Sequence, residues 1–165
     1  MRAIVALGVA ALAAGGAGLA PGRAAAQAPG SGPPAAPVGI EAQKVMQARK
    51  AGFNLMAGSL IGMKQAVDSG SDVKPLVDAV KALASWGHVI PVMFPPGTNM
   101  EGTKARPEVW GDRPGFEKAA ANFVAEAQKL ADMAEANDKS GFGRQYTATT
   151  QACGACHRSY RVRTN

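Results

Sequence analysis

The stretch from Phe142 to Tyr160, FGRQYTATTQACGACHRSY, decides how this chain is read. Phe142, Tyr146, Thr149, Cys153, Cys156 and Tyr160 follow steps of three and four, which predicts one helix with a single inward face. Within it stands Cys153-Gly154-Ala155-Cys156-His157, which holds the only two cysteines of the 165-residue chain. C-x-x-C-H is the arrangement for covalent attachment of a c-type haem. Two thiols must reach the two vinyl groups on one porphyrin edge, and the next residue must set an imidazole under the iron. On a helix, residues 153, 156 and 157 share one face. The expectation is one covalently bound haem c, with thioether links at Cys153 and Cys156 and His157 as the axial iron ligand.

Three rival chemistries compete for the same residues. A redox dithiol of the thioredoxin type belongs beside a βαβ pattern, and the sequence has none. A zinc site needs four ligands, and beyond Cys153, Cys156 and His157 the chain offers one other histidine, His88. A simple disulfide leaves the adjoining histidine without a role.

Three further stripes have the same spacing. The first runs Met46, Arg49, Phe53, Met56, Leu60, Met63, Val67. The second runs Leu76, Val80, Leu83, Gly87, Ile90, and the third Phe116, Ala120, Phe123, Ala127, Leu130, Ala134. Such stripes predict helices sharing one seam. Leu60, Val67, Val80, Leu83, Phe123 and Leu130 read as plain core. Asp68 to Asp72 breaks the first helix from the second, with Asp72 placed to cap the second. Asp112 and Pro114 open the third, and Asn137 to Gly141 separates the third from the fourth. The link from Pro91 to Gly111 is long enough to close over one end of a cofactor pocket. The fold class is therefore all-α, an antiparallel four-helix bundle with a long connection between helices two and three.

The amino terminus has a different character. Met1-Arg2, the apolar run Ile4 to Leu12 and the small residues around Ala24 to Ala28 predict a cleavable signal peptide over 1–26. Residues 27–39, rich in Pro, Gly and Ala, read as a flexible leader. The haem c bundle domain then occupies 40–165. Export agrees with the motif, because haem c is attached after export in bacteria, and it implies a periplasmic location with no stable membrane insertion after cleavage. The formal charge of +6 includes Arg2 and Arg23, so the mature chain is only mildly basic. No Lys/Arg block with interleaved aromatics is present, which argues against nucleic-acid binding.

A sixth iron ligand cannot come from downstream, since neither Met nor His follows His157. Upstream candidates are His88, Met46, Met56, Met63, Met93, Met100 and Met133. The alternative is a five-coordinate iron facing apolar side chains, a site suited to small neutral gases.

At this point the sequence resembles the cytochromes c prime, within class II cytochromes c. The resemblance covers Ile40 to Arg163 and rests on three segments. These are Cys153-Gly154-Ala155-Cys156-His157-Arg158-Ser159-Tyr160-Arg161, Pro96-Gly97-Thr98, and Ala105-Arg106-Pro107-Glu108-Val109-Trp110. It implies a four-helix bundle with His157 proximal and Arg161 near the proximal face. It also implies an arginine in the first helix followed four residues later by the distal residue, here Arg49 and Phe53. Phe53 cannot ligate iron, which favours a high-spin, five-coordinate type. Met56, one turn on, leaves open a low-spin carrier of the cytochrome c-556 type. Arg49 interrupts an apolar stripe and so calls for an anionic partner such as a haem propionate. Phe94, Trp110 and Tyr160 can pack on the macrocycle or serve as core. The implied role is electron transfer, binding of NO and CO, or both, and not enzymatic catalysis. The implied partners are small gases, a redox protein and a second copy of the chain in a homodimer.

Overall fold

The computed structural model describes residues 39–163. The proposed signal peptide and all but the last residue of the leader lie outside them. Four long helices carry the fold: α1 (Gly39–Ser69), α2 (Val77–Val89), α4 (Arg113–Glu135) and α5 (Lys139–Tyr160). A single turn, α3 (Glu108–Gly111), lies in the connection between α2 and α4. Among the described residues there is no strand, only an isolated antiparallel bridge between Ala105 and Arg161. No described helix is long and apolar enough to cross a membrane.

The helices form where the stripes predict them. Every position of the four stripes is buried or half-buried, and Phe142, Met63, Leu130 and Val80 are fully enclosed. The α4 helix packs along both α2 and α5, whereas α1 touches the others more sparingly. The bundle is therefore tight on the α2–α4–α5 side and open beside α1.

Backbone chemistry explains the ends. Gly70 adopts φ 64°, and the amides of Gly70 and Ser71 donate to the carbonyls of Val67 and Ala66. That is the left-handed C-terminal closure in which glycine has no steric penalty. Asp112 caps α4 by accepting from the Gly115 amide at 3.1 Å, as the sequence predicts.

Two boundary readings need correction. Asp72 does not cap the second helix. No side chain caps α2 itself; a short turn at Lys74–Leu76 leads into it, and Asn137 Oδ1 accepts from the amides of Val73 (2.9 Å) and Lys74 (3.2 Å) at the start of that turn. Asp72 instead pairs with Lys139 at 2.8 Å. The break before α5 is also shorter than Asn137 to Gly141. Asp138 caps the helix through the Gly141 amide at 2.8 Å, so Ser140 and Gly141 already lie in its first turn. In both cases one polar side chain satisfies the free amides that begin a helical turn.

Phe142 is fully enclosed near the start of α5, far from the reactive residues at its other end. Phe142→Ala should lower stability by about 3–5 kcal/mol through lost burial and a residual cavity, read from the midpoint of urea denaturation.

Candidate haem site

The open side of the bundle forms a cavity of about 460 Å³, within the size range of small-molecule and cofactor sites. From α5 it receives Cys153, Cys156, His157 and Tyr160, with Arg161 just beyond. From α1 it receives Arg49, Lys50, Phe53, Met56 and Leu60, and from α4 Phe116, Ala120 and Phe123. Thr103, Lys104 and Ala105 of the long connection close one end. All eight residues singled out in the sequence, Arg49, Phe53, Met56, Cys153, Cys156, His157, Tyr160 and Arg161, thus border one space.

The chemistry of the donor set fits a covalently held haem. Both thiols are free and half-buried. Burial, and secondarily the neighbouring Cys156, pushes the Cys153 thiol up to about 11, and burial raises Cys156 as well. Both thiols are therefore neutral at ordinary pH, unlike the lowered thiolates of redox dithiols. Among the described residues no cluster of three or more His, Cys, Asp or Glu is disposed to hold a metal ion, so the zinc reading has no support there. His157 keeps an open surface. Its partial burial first, and the positive charge of Arg161 second, hold the imidazole below its ordinary value. A neutral imidazole is the form that binds a metal.

Arg49 is only 3 % exposed, so it does not reach to solvent. Within the chain its partners belong to the long connection. The guanidinium donates to the carbonyls of Met93 (3.4 Å) and Thr98 (3.1 Å) and to Thr103 Oγ1 (2.7 Å), and lies 4.4 Å from the centroid of the Phe94 ring. No anionic group accepts from it among the described residues. Carbonyls of the long connection satisfy it because that connection folds directly over α1. Desolvation lowers its pKa.

The Arg-Pro-Glu-x-Trp segment anchors the same connection. Arg106 forks onto Glu108 through two N–H groups, at 2.6 and 3.2 Å. Trp110 Nε1 donates to the Pro95 carbonyl at 3.0 Å. Tyr160 donates its hydroxyl to Asp112 at 2.7 Å, and this bond is the main reason its pKa rises to about 12. The Tyr160 ring also stacks edge-on against Phe116.

Several sequence readings change here. Leu60 and Phe123, read as plain core, also line the cavity. Of the candidate sulfur ligands only Met56 borders it, and His88 lies exposed on α2 away from it. Thr103 and Trp86 carry no mark of the site in the sequence. Trp86 presses against Gly52, where a methyl group would meet its ring, and meets Phe53 edge-on with centroids 6.3 Å apart. Nothing in the stripe pattern points to Trp86, since it stands one residue before Gly87. A second concavity of about 370 Å³, bordered by Phe94, Asn99, Trp110 and Arg113, contains none of the three expected haem-binding groups.

Arg49→Leu should strand the carbonyls of Thr98 and Met93 and cost about 2 kcal/mol. Amide exchange in residues 94–104 should then accelerate. Arg49→Lys should restore only part of the protection, because an ammonium lacks the planar fork.

The comparisons agree with this geometry. The family profile described as cytochrome C' matches residues 44–161. Cytochrome c' of Rhodospirillum rubrum is 34% identical over 86 residues, covering 52% of this chain and 58% of that protein. Cytochrome c-556 of Agrobacterium tumefaciens strain II Chrys is 28% identical, covering 70% of this chain and 95% of that protein. A nitric oxide complex of a point mutant of cytochrome c prime from Alcaligenes xylosoxidans superposes with TM-score 0.69 at 26% identity, covering 76% of this chain and 99% of that one. The chain belongs to the cytochrome c' family, whose members bear one covalently attached haem c.

Proposed function

We propose that this chain is a periplasmic haem protein with a five-coordinate, high-spin iron, serving electron transfer and the binding of NO and CO, and not a haem enzyme. The convergence of Cys153, Cys156 and His157 with Phe53 on one apolar cavity carries the reading. When bound, the haem supplies an iron that changes oxidation state and offers an open face to a small neutral molecule. Cys153 and Cys156 would hold its edge through thioethers, and His157 would hold the iron. Phe53, Leu60 and Phe123 contribute walls without an acid or base, so water gains few hydrogen bonds against them. Peroxidase-type proton transfer wants an acid or base within hydrogen-bond reach, and Phe53 at the distal position supplies none. Phe53 is braced by Trp86 and by Phe94, at ring-centroid distances of 6.3 Å each, which limits its freedom to swing aside.

The purified holoprotein should show a high-spin ferric spectrum, and its ferrous spectrum should shift on adding CO or NO. A ferrous spectrum indifferent to both gases would remove the gas-binding role. Phe53→Ala should raise the CO association rate roughly tenfold, equivalent to about 1.4 kcal/mol of barrier. Unchanged kinetics would show that Phe53 is not the gate.

Met56 at the cavity wall, together with the likeness to cytochrome c-556, favours one second reading: a low-spin carrier with Met56 sulfur on the iron. A low-spin ferric spectrum that turned high-spin in Met56→Leu would establish it.

We also infer a homodimer built on α1. Leu55 is 74% exposed and Ile61 61%, while the Cα positions of Gly58 and Gly62 have open space beside them. These four residues recur along one side of the helix, a small-and-apolar seam that a second α1 could cover. Leu55→Glu with Ile61→Glu should convert a sedimenting dimer to monomer.

A further inference from the structure

Several exposed cations on the described surface, all away from the cavity, are neutralised by a nearby carboxylate. Lys44 meets Glu41, Lys64 meets Asp68, Lys129 meets Glu126 and Lys139 meets Asp72, all within 3.2 Å. At the mouth of the cavity this pattern stops. Lys50, Lys104 and Arg161 border the cavity and are exposed, and none forms an ion pair among the described residues. Exposed Arg158 and Arg163, outside the lining, also form no ion pair among the described residues.

The contacts bring these cations together. Lys50 Nζ would lie 3.9 Å from a methyl group at Gly102, two residues from Lys104. The Lys104 carbonyl accepts from the Val162 amide at 2.8 Å, which fixes it beside Arg161. Arg106 donates to the Arg158 carbonyl at 3.4 Å, and the Arg158 guanidinium would lie 3.5 Å from a methyl group at Gly154, inside the Cys-x-x-Cys turn. Glu101 is a carboxylate of the same connection without an ion pair. Asp112, which accepts from Tyr160, is a second such carboxylate, so five exposed cations (Lys50, Lys104, Arg158, Arg161 and Arg163) stand here against two unpaired carboxylates of the chain. Elsewhere the described cations without a carboxylate, Lys74, Lys118 and Arg144, sit on three different elements.

Uncompensated charge around an apolar cleft focuses a positive potential that attracts anionic partners and weakens with salt. Resting on the electron-transfer reading above, we infer that this mouth is a docking surface for the acidic face of a redox partner protein, seated over Lys50, Lys104, Arg158 and Arg161. The transfer moves one electron from the partner's reduced centre to the ferric site, with no bond made or broken.

The test uses ferric holoprotein reduced in stopped flow by an acidic flavodoxin hydroquinone and, separately, by hexaammineruthenium(II). The flavodoxin rate should fall at least roughly tenfold as ionic strength rises from about 0.01 to 0.5 M. Lys50→Glu with Lys104→Glu should lower the low-salt flavodoxin rate roughly tenfold and raise the ruthenium rate. Lys74→Glu with Arg144→Glu makes the same change in net charge, with Arg144 about 20 Å from His157 along α5. It should move the flavodoxin rate by less than about twofold. Equal slowing by the two pairs would overturn the location of the surface. Flavodoxin rates flat in salt, alongside normal reduction by ruthenium, would overturn the surface and leave electron transfer standing. Failure of both reductants would remove electron transfer itself and the surface with it. Cosedimentation of the wild type, but not the Lys50/Lys104 variant, with phosphatidylglycerol vesicles at 0.15 M salt would overturn a protein as occupant in favour of a membrane.

Discussion

The turn of an α-helix sets the terms for this molecule. Residues three and four apart face the same way, so Cys153, Cys156 and His157 must look into one space, and the bundle has to leave that space open. It does so by packing α4 closely on α2 and α5 while holding α1 at a distance. Close packing and an open cavity thus coexist in one small domain. The closed side supplies stability through fully enclosed Phe142, Leu130 and Val80, and the open side supplies the site.

Keeping α1 in place without filling the cavity requires another kind of bond. Arg49 provides it by reaching from α1 into the long connection, where two carbonyls and a hydroxyl receive it. A charge buried this deeply is tolerated only when hydrogen-bonded. The connection is then pinned a second time by Trp110 on Pro95, and a third by Arg113 on the carbonyls of Phe94 and Pro91. A segment with little regular structure is thereby tied down at three separate points.

Much of this is legible in the residues alone. Apolar spacing marks the four helices because that spacing reports burial directly, and the motif at 153–157 locates the site because few other chemistries want those residues in that order. What stays hidden is long-range and polar. Asn137 capping the turn before α2 joins positions far apart in sequence, and no local pattern announces it. The partners of Arg49 escape a sequence reading for the same reason: a buried guanidinium demands acceptors, but the sequence does not say whether they are carboxylates or folded-back carbonyls. Leu60 and Phe123 look like core by every local criterion, and only the displacement of α1 makes them walls.

The bridge between Ala105 and Arg161, with Arg106 bonded to Tyr160 and Val162 to Lys104, has a consequence for the order of assembly. The segment around Ala105 cannot take its final place until residues 160–162 are there to receive it. The thiols and imidazole also lie close to that end. A polypeptide that emerges amino terminus first delivers α1, α2 and the long connection before α5, so the chamber stays unsealed until α5 has followed them.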